Sequence, residues 1–123
     1  ALPILSVIEP IQDIVSLLES FVGRFSLLIA SNTDELHQTR IFEVQPIVKA
    51  FDHFLLSYEL GVLKPNTSFF KTGLSKIGFS PEQCFFIDDR DDNVEAAASI
   101  GIRGIKYETT NQLISDLGEL DFL

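Results

Sequence analysis

Residues 84–93 read Cys84-Phe85-Phe86-Ile87-Asp88-Asp89-Arg90-Asp91-Asp92-Asn93. An apolar run breaks onto two adjacent carboxylates, and a stretch rich in small residues (Ala96, Ala97, Ala98) continues to Gly101. Continuous apolar runs of this length belong to strands covered on both faces. Two neighbouring carboxylates repel unless a cation or donors stabilise them. A hard divalent cation that keeps its waters needs only one or two carboxylates, so Asp88-Asp89 is a candidate metal pair. Asn93 follows Asp89 by one helical turn and could face back toward the same ion. An acidic loop in which Asp91 or Asp92 merely favours the start of the next helix accounts for the same residues.

Outward from this stretch, the apolar pattern predicts strands at 25–30, 54–57, 84–87 and 104–107. Helices are predicted at 11–22, 32–44, 91–100 and 111–120, with another after Pro65 carrying Phe69, Phe70, Leu74 and Ile77. Gly23, Gly78 and Gly101 suit helix ends, and Pro46 ends the helix before it. Ser31 or Asn32 suits the N-cap of the helix at 32–44, with Asp34 or Glu35 near its third position. Pro65 suits a first helical turn, and Ser80-Pro81 a short turn. The small residues at 96–98 allow a helix to sit close on a sheet. Strands alternating with amphipathic helices imply an α/β fold with a parallel sheet and right-handed crossovers. Ligands of such sheets bind at the C-terminal strand edge. Ser31, Ser57 and Asp88-Asp89 all fall at those ends.

Ser31 follows the run Leu27-Leu28-Ile29-Ala30. Its hydroxyl can donate to a phosphate oxygen, and a helix opening just after it would present amides to an anion. N-capping alone would also account for Ser31 or Asn32. Lys64 lies in the loop 59–66 between Gly61 and Pro65, where its ammonium can neutralise phosphate or a carboxylate cluster, or serve as a solvated surface charge. His37 and His53 have no Cys or His partner at metal-ligand spacing and read as structural or surface residues.

Bulk composition narrows the classes. A length of 123 residues suggests one domain, 1–123, and a hydrophobic fraction of 46% suffices for a core. A net charge of −9 makes nucleic acid and anionic membrane poor partners. No apolar run approaches spanning length, and no basic region leads into an apolar one as in a signal peptide. The absence of Met carries the expectation that Ala1 is not a translational start. The single Cys84 rules out an internal disulfide, reads as a buried structural thiol, and fits a reducing cytoplasm.

Taken together, Ser31 after its strand, Lys64 in Ser57-Tyr58-Glu59-Leu60-Gly61-Val62-Leu63-Lys64-Pro65, and Asp88-Asp89 resemble the second, third and fourth motifs of the haloacid dehalogenase-like hydrolases. The stretch 61–101 is most similar to the branch holding sugar-phosphate phosphatases and the phosphatase domain of soluble epoxide hydrolases. The resemblance implies a three-layer α/β/α Rossmann-like core and Mg²⁺-dependent in-line displacement on a small phosphorylated metabolite. It assigns Ser31, Asn32 and the following amides to the phosphoryl group, and gives Lys64 the electrostatic hold on phosphate and nucleophile. It assigns Asp89 to direct Mg²⁺ ligation, Asp88 to direct or water-mediated assistance, and Asn93 to orientation of that shell. Ser31 and Lys64 would be the catalytic pair.

One departure is large. The family's first motif is a strand ending in Asp-x-Asp, followed by a cap, and no Asp-x-Asp precedes Ser31. The expectation is therefore an incomplete core with its first strand missing, the cap and nucleophile strand lying outside the chain. Family strand order leaves a gap of roughly 10 Å between 25–30 and 84–87. Unpaired apolar edges recruit other strands, so self-association or a retained N-terminal piece is expected to fill it. The chain alone is expected to be inactive. The alternatives are a non-catalytic binding or assembly module and a haloacid dehalogenase proper, the latter disfavoured by the acid pair. A phospho-receiver would place its acid pair after the first strand rather than the third.

Overall fold

The computed structural model describes residues 4–7, 15–44 and 46–119. The chain runs β1 (Ile4–Val7), α1 (Val15–Phe21), β2 (Ser26–Ser31), α2 (Glu35–Val44), a 3₁₀ turn (Pro46–Ala50), β3 (His53–Leu56) and α3 (Ser57–Leu60). It continues through α4 (Thr67–Ile77), a second 3₁₀ turn (Pro81–Gln83), β4 (Cys84–Asp88), α5 (Asp91–Ser99), β5 (Arg103–Lys106) and α6 (Thr110–Glu119). The strands form one parallel sheet in the order β3-β2-β1-β4-β5.

Alternation along β2 and β4 builds two apolar layers. Leu27, Ile29, Phe85 and Ile87 pack with Leu18 and Phe21 of α1 and Leu113 and Leu117 of α6. Leu28, Ala30, Cys84 and Phe86 face the opposite way, onto Phe69, Phe70 and Leu74 of α4 and Ala97 of α5. Both faces are covered, which is why these strands read as unbroken apolar runs. This is the three-layer α/β/α arrangement expected. Phe70 and Phe86 meet edge to face with centroids 5.0 Å apart, a favoured aromatic geometry. The closeness expected of α5 is real. A Cβ built on Gly104 of β5 would lie 2.7 Å from Val94 Cγ1, so any larger residue there would force Val94 to shift.

One expectation about the sheet changes. The position between β2 and β4 is not a gap. Ile4 to Val7 pair with Ser26 to Ile29 on one side, and Ile4 to Ser6 with Cys84 to Phe86 on the other. Four residues with strand propensity suffice to bridge the two neighbours, and they carry no Asp-x-Asp. Self-association and a retained fragment were expected in order to fill an empty position; β1 removes that reason. The sheet is thus continuous across the position expected to be empty, and no Asp-x-Asp precedes Ser31.

Smaller shifts concern element ends. α1 begins at Val15, and residues 11–14 of the helix predicted there lie outside the described residues. Ser57, expected to close the strand, instead opens α3. Pro65 precedes the N-cap of α4 rather than entering its first turn; the cap is Asn66, whose side chain accepts from Ser68 N at 3.0 Å. Among the described residues no helix is long and apolar enough to cross a membrane.

Candidate functional site

The C-terminal edge of the sheet gathers the polar residues. α3 ends at Gly61, whose φ of 73° is left-handed and whose amide donates to Ser57 O at 2.9 Å. Glycine takes that conformation without steric cost, and the chain turns there into the loop carrying Lys64. Asn32, just past β2, fixes that loop. Its Oδ1 accepts from Lys64 N at 2.8 Å and its Nδ2 donates to Lys64 O at 3.1 Å. The Lys64–Pro65 peptide is cis.

With its backbone held, Lys64 sends its side chain inward. Nζ donates to Ala30 O at 2.8 Å and to Asp88 Oδ2 at 3.1 Å. The side chains are 8% and 2% exposed, so this is a buried ion pair. Asp88 is satisfied further: Oδ1 accepts from Arg90 N at 2.9 Å, and Oδ2 also accepts from Asn93 Nδ2 at 3.2 Å. A buried pair of this kind holds only when the remaining lone pairs find donors, and here they do. The Asp88 backbone carbonyl accepts from Tyr107 N at 2.8 Å, tying the end of β4 to the end of β5.

Asp89 differs in every respect. It is exposed, and its side chain makes no hydrogen bond or ion pair with the described residues. It lines a pocket of about 180 Å³ together with Ala30, Ser31, Asn32, Lys64, Asp88, Arg90 and Asn93. All of the sequence-predicted site residues therefore meet at one place. Ser31 is 5% exposed, and its hydroxyl likewise has no hydrogen bond among the described residues. Asn93 is buried and its Oδ1 has no hydrogen-bond partner among the described residues. A buried acceptor without a donor carries a desolvation cost of about 1–3 kcal/mol, which a ligand or a metal-bound water can relieve.

The donor set has a definite character. Among the described residues no three His, Cys, Asp or Glu side chains group as a metal cage. The pocket offers the Asp89 carboxylate and the wall of Asp88, with the Asn93 Oδ1 buried in its lining. Few oxygen donors beside open space fit a hard cation that retains waters.

One sequence expectation is corrected. α2 does not open directly after Ser31. It begins at Glu35, and Asp34 accepts from His37 N at 2.8 Å. That amide bond holds the Asp34 carboxyl below its ordinary range. The intervening Thr33 amide is also taken, donating to Ser57 Oγ at 2.8 Å while the Ser57 hydroxyl donates to Thr33 O at 2.9 Å. A helix N-terminus is thus not what adjoins Ser31. Both ends of the Asn32 side chain are engaged by Lys64, which leaves one Nδ2 N–H, one Oδ1 lone pair and the backbone amide for a ligand. The clasps made by Asn32 and Ser57 were missed because each joins residues at least 24 apart in sequence. The only signal was that all of them lie just past strand ends.

The outer rim is charged. Asp92 takes Arg90 in a fork, from Nε at 3.0 Å and Nη2 at 2.9 Å. The hydrogen bond raises the arginine pKa and lowers that of the aspartate. Lys106 reaches Asp91 at 3.1 Å, which raises its own pKa. The remaining candidates are bland, as expected. His37 is exposed beside Asp34, His53 stacks edge to face on Phe79, and burial pushes the Cys84 thiol up to about 11.

Known proteins resemble the chain in sequence and in fold. The profile of the haloacid dehalogenase-like hydrolases matches residues 3–101. Flavin mononucleotide hydrolase 1 of Arabidopsis thaliana, a chloroplast protein, is 38% identical over 60 residues, 49% of this chain and 24% of its own length. An uncharacterized protein of Corynebacterium glutamicum superposes with a TM-score of 0.77 at 25% identity, covering 96% of this chain and 94% of that one. A HAD family enzyme of Bacteroides thetaiotaomicron, solved with magnesium and inorganic phosphate, gives a TM-score of 0.71 at 26% identity over 78% of this chain and 52% of its own. The chain thus spans about a quarter of the curated relative and about half of the enzyme solved with phosphate.

Proposed function

The chain belongs to the haloacid dehalogenase-like hydrolase family, and from that premise we propose that its pocket is the phosphoryl and Mg²⁺ site of a phosphatase acting on small phosphomonoesters. The observation that carries this reading is the contrast within the acid pair: Asp88 is locked to Lys64 in the pocket wall, while Asp89 faces the same pocket unpaired. The magnesium and phosphate of the Bacteroides thetaiotaomicron enzyme support it by analogy.

In this reading Asp89 ligates Mg²⁺, with Asp88 and the Asn93 Oδ1 holding its waters. The ion, when bound, neutralises charge on the phosphoryl oxygens. Ser31 Oγ and the Asn32 amide orient the phosphoryl group from the β2 side. Lys64 keeps its Nζ at the pocket wall through Ala30 O and Asp88, so its positive charge is preorganised and costs no rearrangement when the substrate arrives. Positioning and charge stabilisation dominate phosphoryl transfer, and this is what these residues supply. The nucleophile is proposed to lie outside residues 1–123, in the Asp-x-Asp strand of a longer protein. Cytoplasm is the proposed compartment, on the strength of the single buried thiol.

A second reading has its own observation. β1 already pairs on both sides at the centre of the sheet, and no Asp-x-Asp precedes Ser31. A module that binds a phosphorylated ligand without turnover fits that arrangement. Both readings expect the purified 123-residue chain to leave p-nitrophenyl phosphate intact in the presence of Mg²⁺. Sustained turnover, abolished by Asp89→Asn, would contradict both, because a nucleophile would then exist within the chain.

A further inference from the structure

We propose that Arg90 is a specificity residue of this pocket, receiving a second anionic group of the substrate, a carboxylate or a further phosphate, while the phosphoryl group lies at Ser31 and Lys64. The inference rests on the phosphoryl site proposed above. It follows from an inventory of donors.

Two cationic residues line the pocket, Lys64 and Arg90. An ammonium has three N–H donors, and Lys64 has given two of them to Ala30 O and Asp88. Its charge is buried and compensated. Arg90, which also lines the pocket, is the reverse, with a side chain 67% exposed. A guanidinium carries five N–H donors in one rigid plane, and Asp92 uses only one on Nε and one on Nη2. The donors on Nη1 and the rest of Nη2 have no acceptor among the described residues. Arg90 is therefore the largest reserve of free donors at the pocket.

The fork with Asp92 does a second thing. It orients the guanidinium plane, and as an exposed pair it can be exchanged for a ligand's anion at little cost. An untethered arginine on a surface would be a solvated charge and no more. Asp92 also cancels most of the long-range field of Arg90, so the attraction is short-range and geometric. Planar, bidentate recognition of a carboxylate or phosphate is the task for which a guanidinium is suited. Lys106 does not compete for this role: its Nζ is committed to Asp91, and it does not line the pocket.

The test compares ligands that differ only in the second anion. Methylphosphonate carries one anionic group; phosphonoacetate and 3-phosphonopropionate add a carboxylate on tethers of two lengths. Dissociation constants are measured by calorimetry on the 123-residue chain with saturating Mg²⁺. The expected result is that the diacid whose tether reaches Arg90 binds about tenfold more tightly than methylphosphonate. Arg90→Ala should bring that ratio close to one, and Arg90→Lys, which keeps the charge but not the fork, should leave an intermediate ratio. A wild-type chain with no preference, or a ratio preserved in Arg90→Ala, would overturn the proposal. Failure of methylphosphonate itself to bind the wild-type chain would overturn the phosphoryl site, and this proposal with it. That outcome is distinct, because it is read on the ligand without a second anion.

Discussion

Asp88 and Asp89 are neighbours in sequence and opposites in environment. Asp88 belongs to the interior half of the site, where it joins the Lys64 ammonium and the Asn93 amide through hydrogen bonds below the surface. Asp89 belongs to the outer half, where Arg90, Asp92 and Lys106 pair in solvent and Asp89 pairs with nothing described. The difference separates two tasks. The interior half fixes where the pocket is, because a buried charge with a missing partner is expensive. The outer half is free to respond to a ligand, because exposed ion pairs contribute little to stability and can be exchanged cheaply.

The comparison is broken most severely at Lys64. Lys64→Met strands Asp88 as a buried unpaired carboxylate and should destabilise the fold by about 3–5 kcal/mol in urea denaturation. Adding Asp88→Asn should restore much of the loss. A Lys64→Met chain as stable as wild type would mean that the pair is not a structural unit.

The same interior character extends to the thiol at the start of β4. Burial raises Cys84 from an ordinary value near 9.0 to about 11. A folded-state pKa above the unfolded one means that the stabilisation is complete below the unfolded value. It is lost as pH rises through the folded value, so the loss falls between about pH 9 and 11. With one proton involved, the wild-type chain should lose about 1–3 kcal/mol across that window, a loss absent from Cys84→Ala. Parallel pH profiles for the two proteins would remove Cys84 from the interior account.

A smaller effect is expected at the clasp. Asn32→Ala removes both bonds to the Lys64 backbone, but those groups lie where water can replace the side chain. A loss of about 1 kcal/mol is expected, with weaker ligand binding because the Lys64 loop is no longer held. Unchanged binding in a destabilised Asn32→Ala would confine Asn32 to a purely structural part.

These contrasts also explain what was legible in the sequence. β2 and β4 declared themselves because strands covered on both faces are apolar throughout, and the residues just past them had to share one edge. That brought Ser31, Asp88 and Asp89 together without any structure, with Asn93 one helical turn further on; Lys64 joined them through the family resemblance. β1 escaped because Ile4-Leu5-Ser6-Val7 is too short to show a period, and only its pairing on both sides reveals it. The start of α2 was misplaced because Ser31, Asn32 and Asp34 are all competent caps, and the choice fell to long-range bonds from Ser57 and Lys64. Nor could the sequence tell which of two adjacent aspartates would be buried. That depends on strand parity: Asp88 is the last residue of β4, and Asp89 lies beyond it.

The central claim is that Asp89, and not Asp88, is the carboxylate available to a ligand. The direct test is calorimetric titration of inorganic phosphate into the wild-type chain and Asp89→Asn, each with and without Mg²⁺, beside thermal melts of both. The account predicts that wild type binds phosphate only with Mg²⁺, and that Asp89→Asn loses this binding while melting at the same temperature. Equal Mg²⁺-dependent binding by both proteins, or phosphate binding that ignores Mg²⁺ altogether, would contradict it.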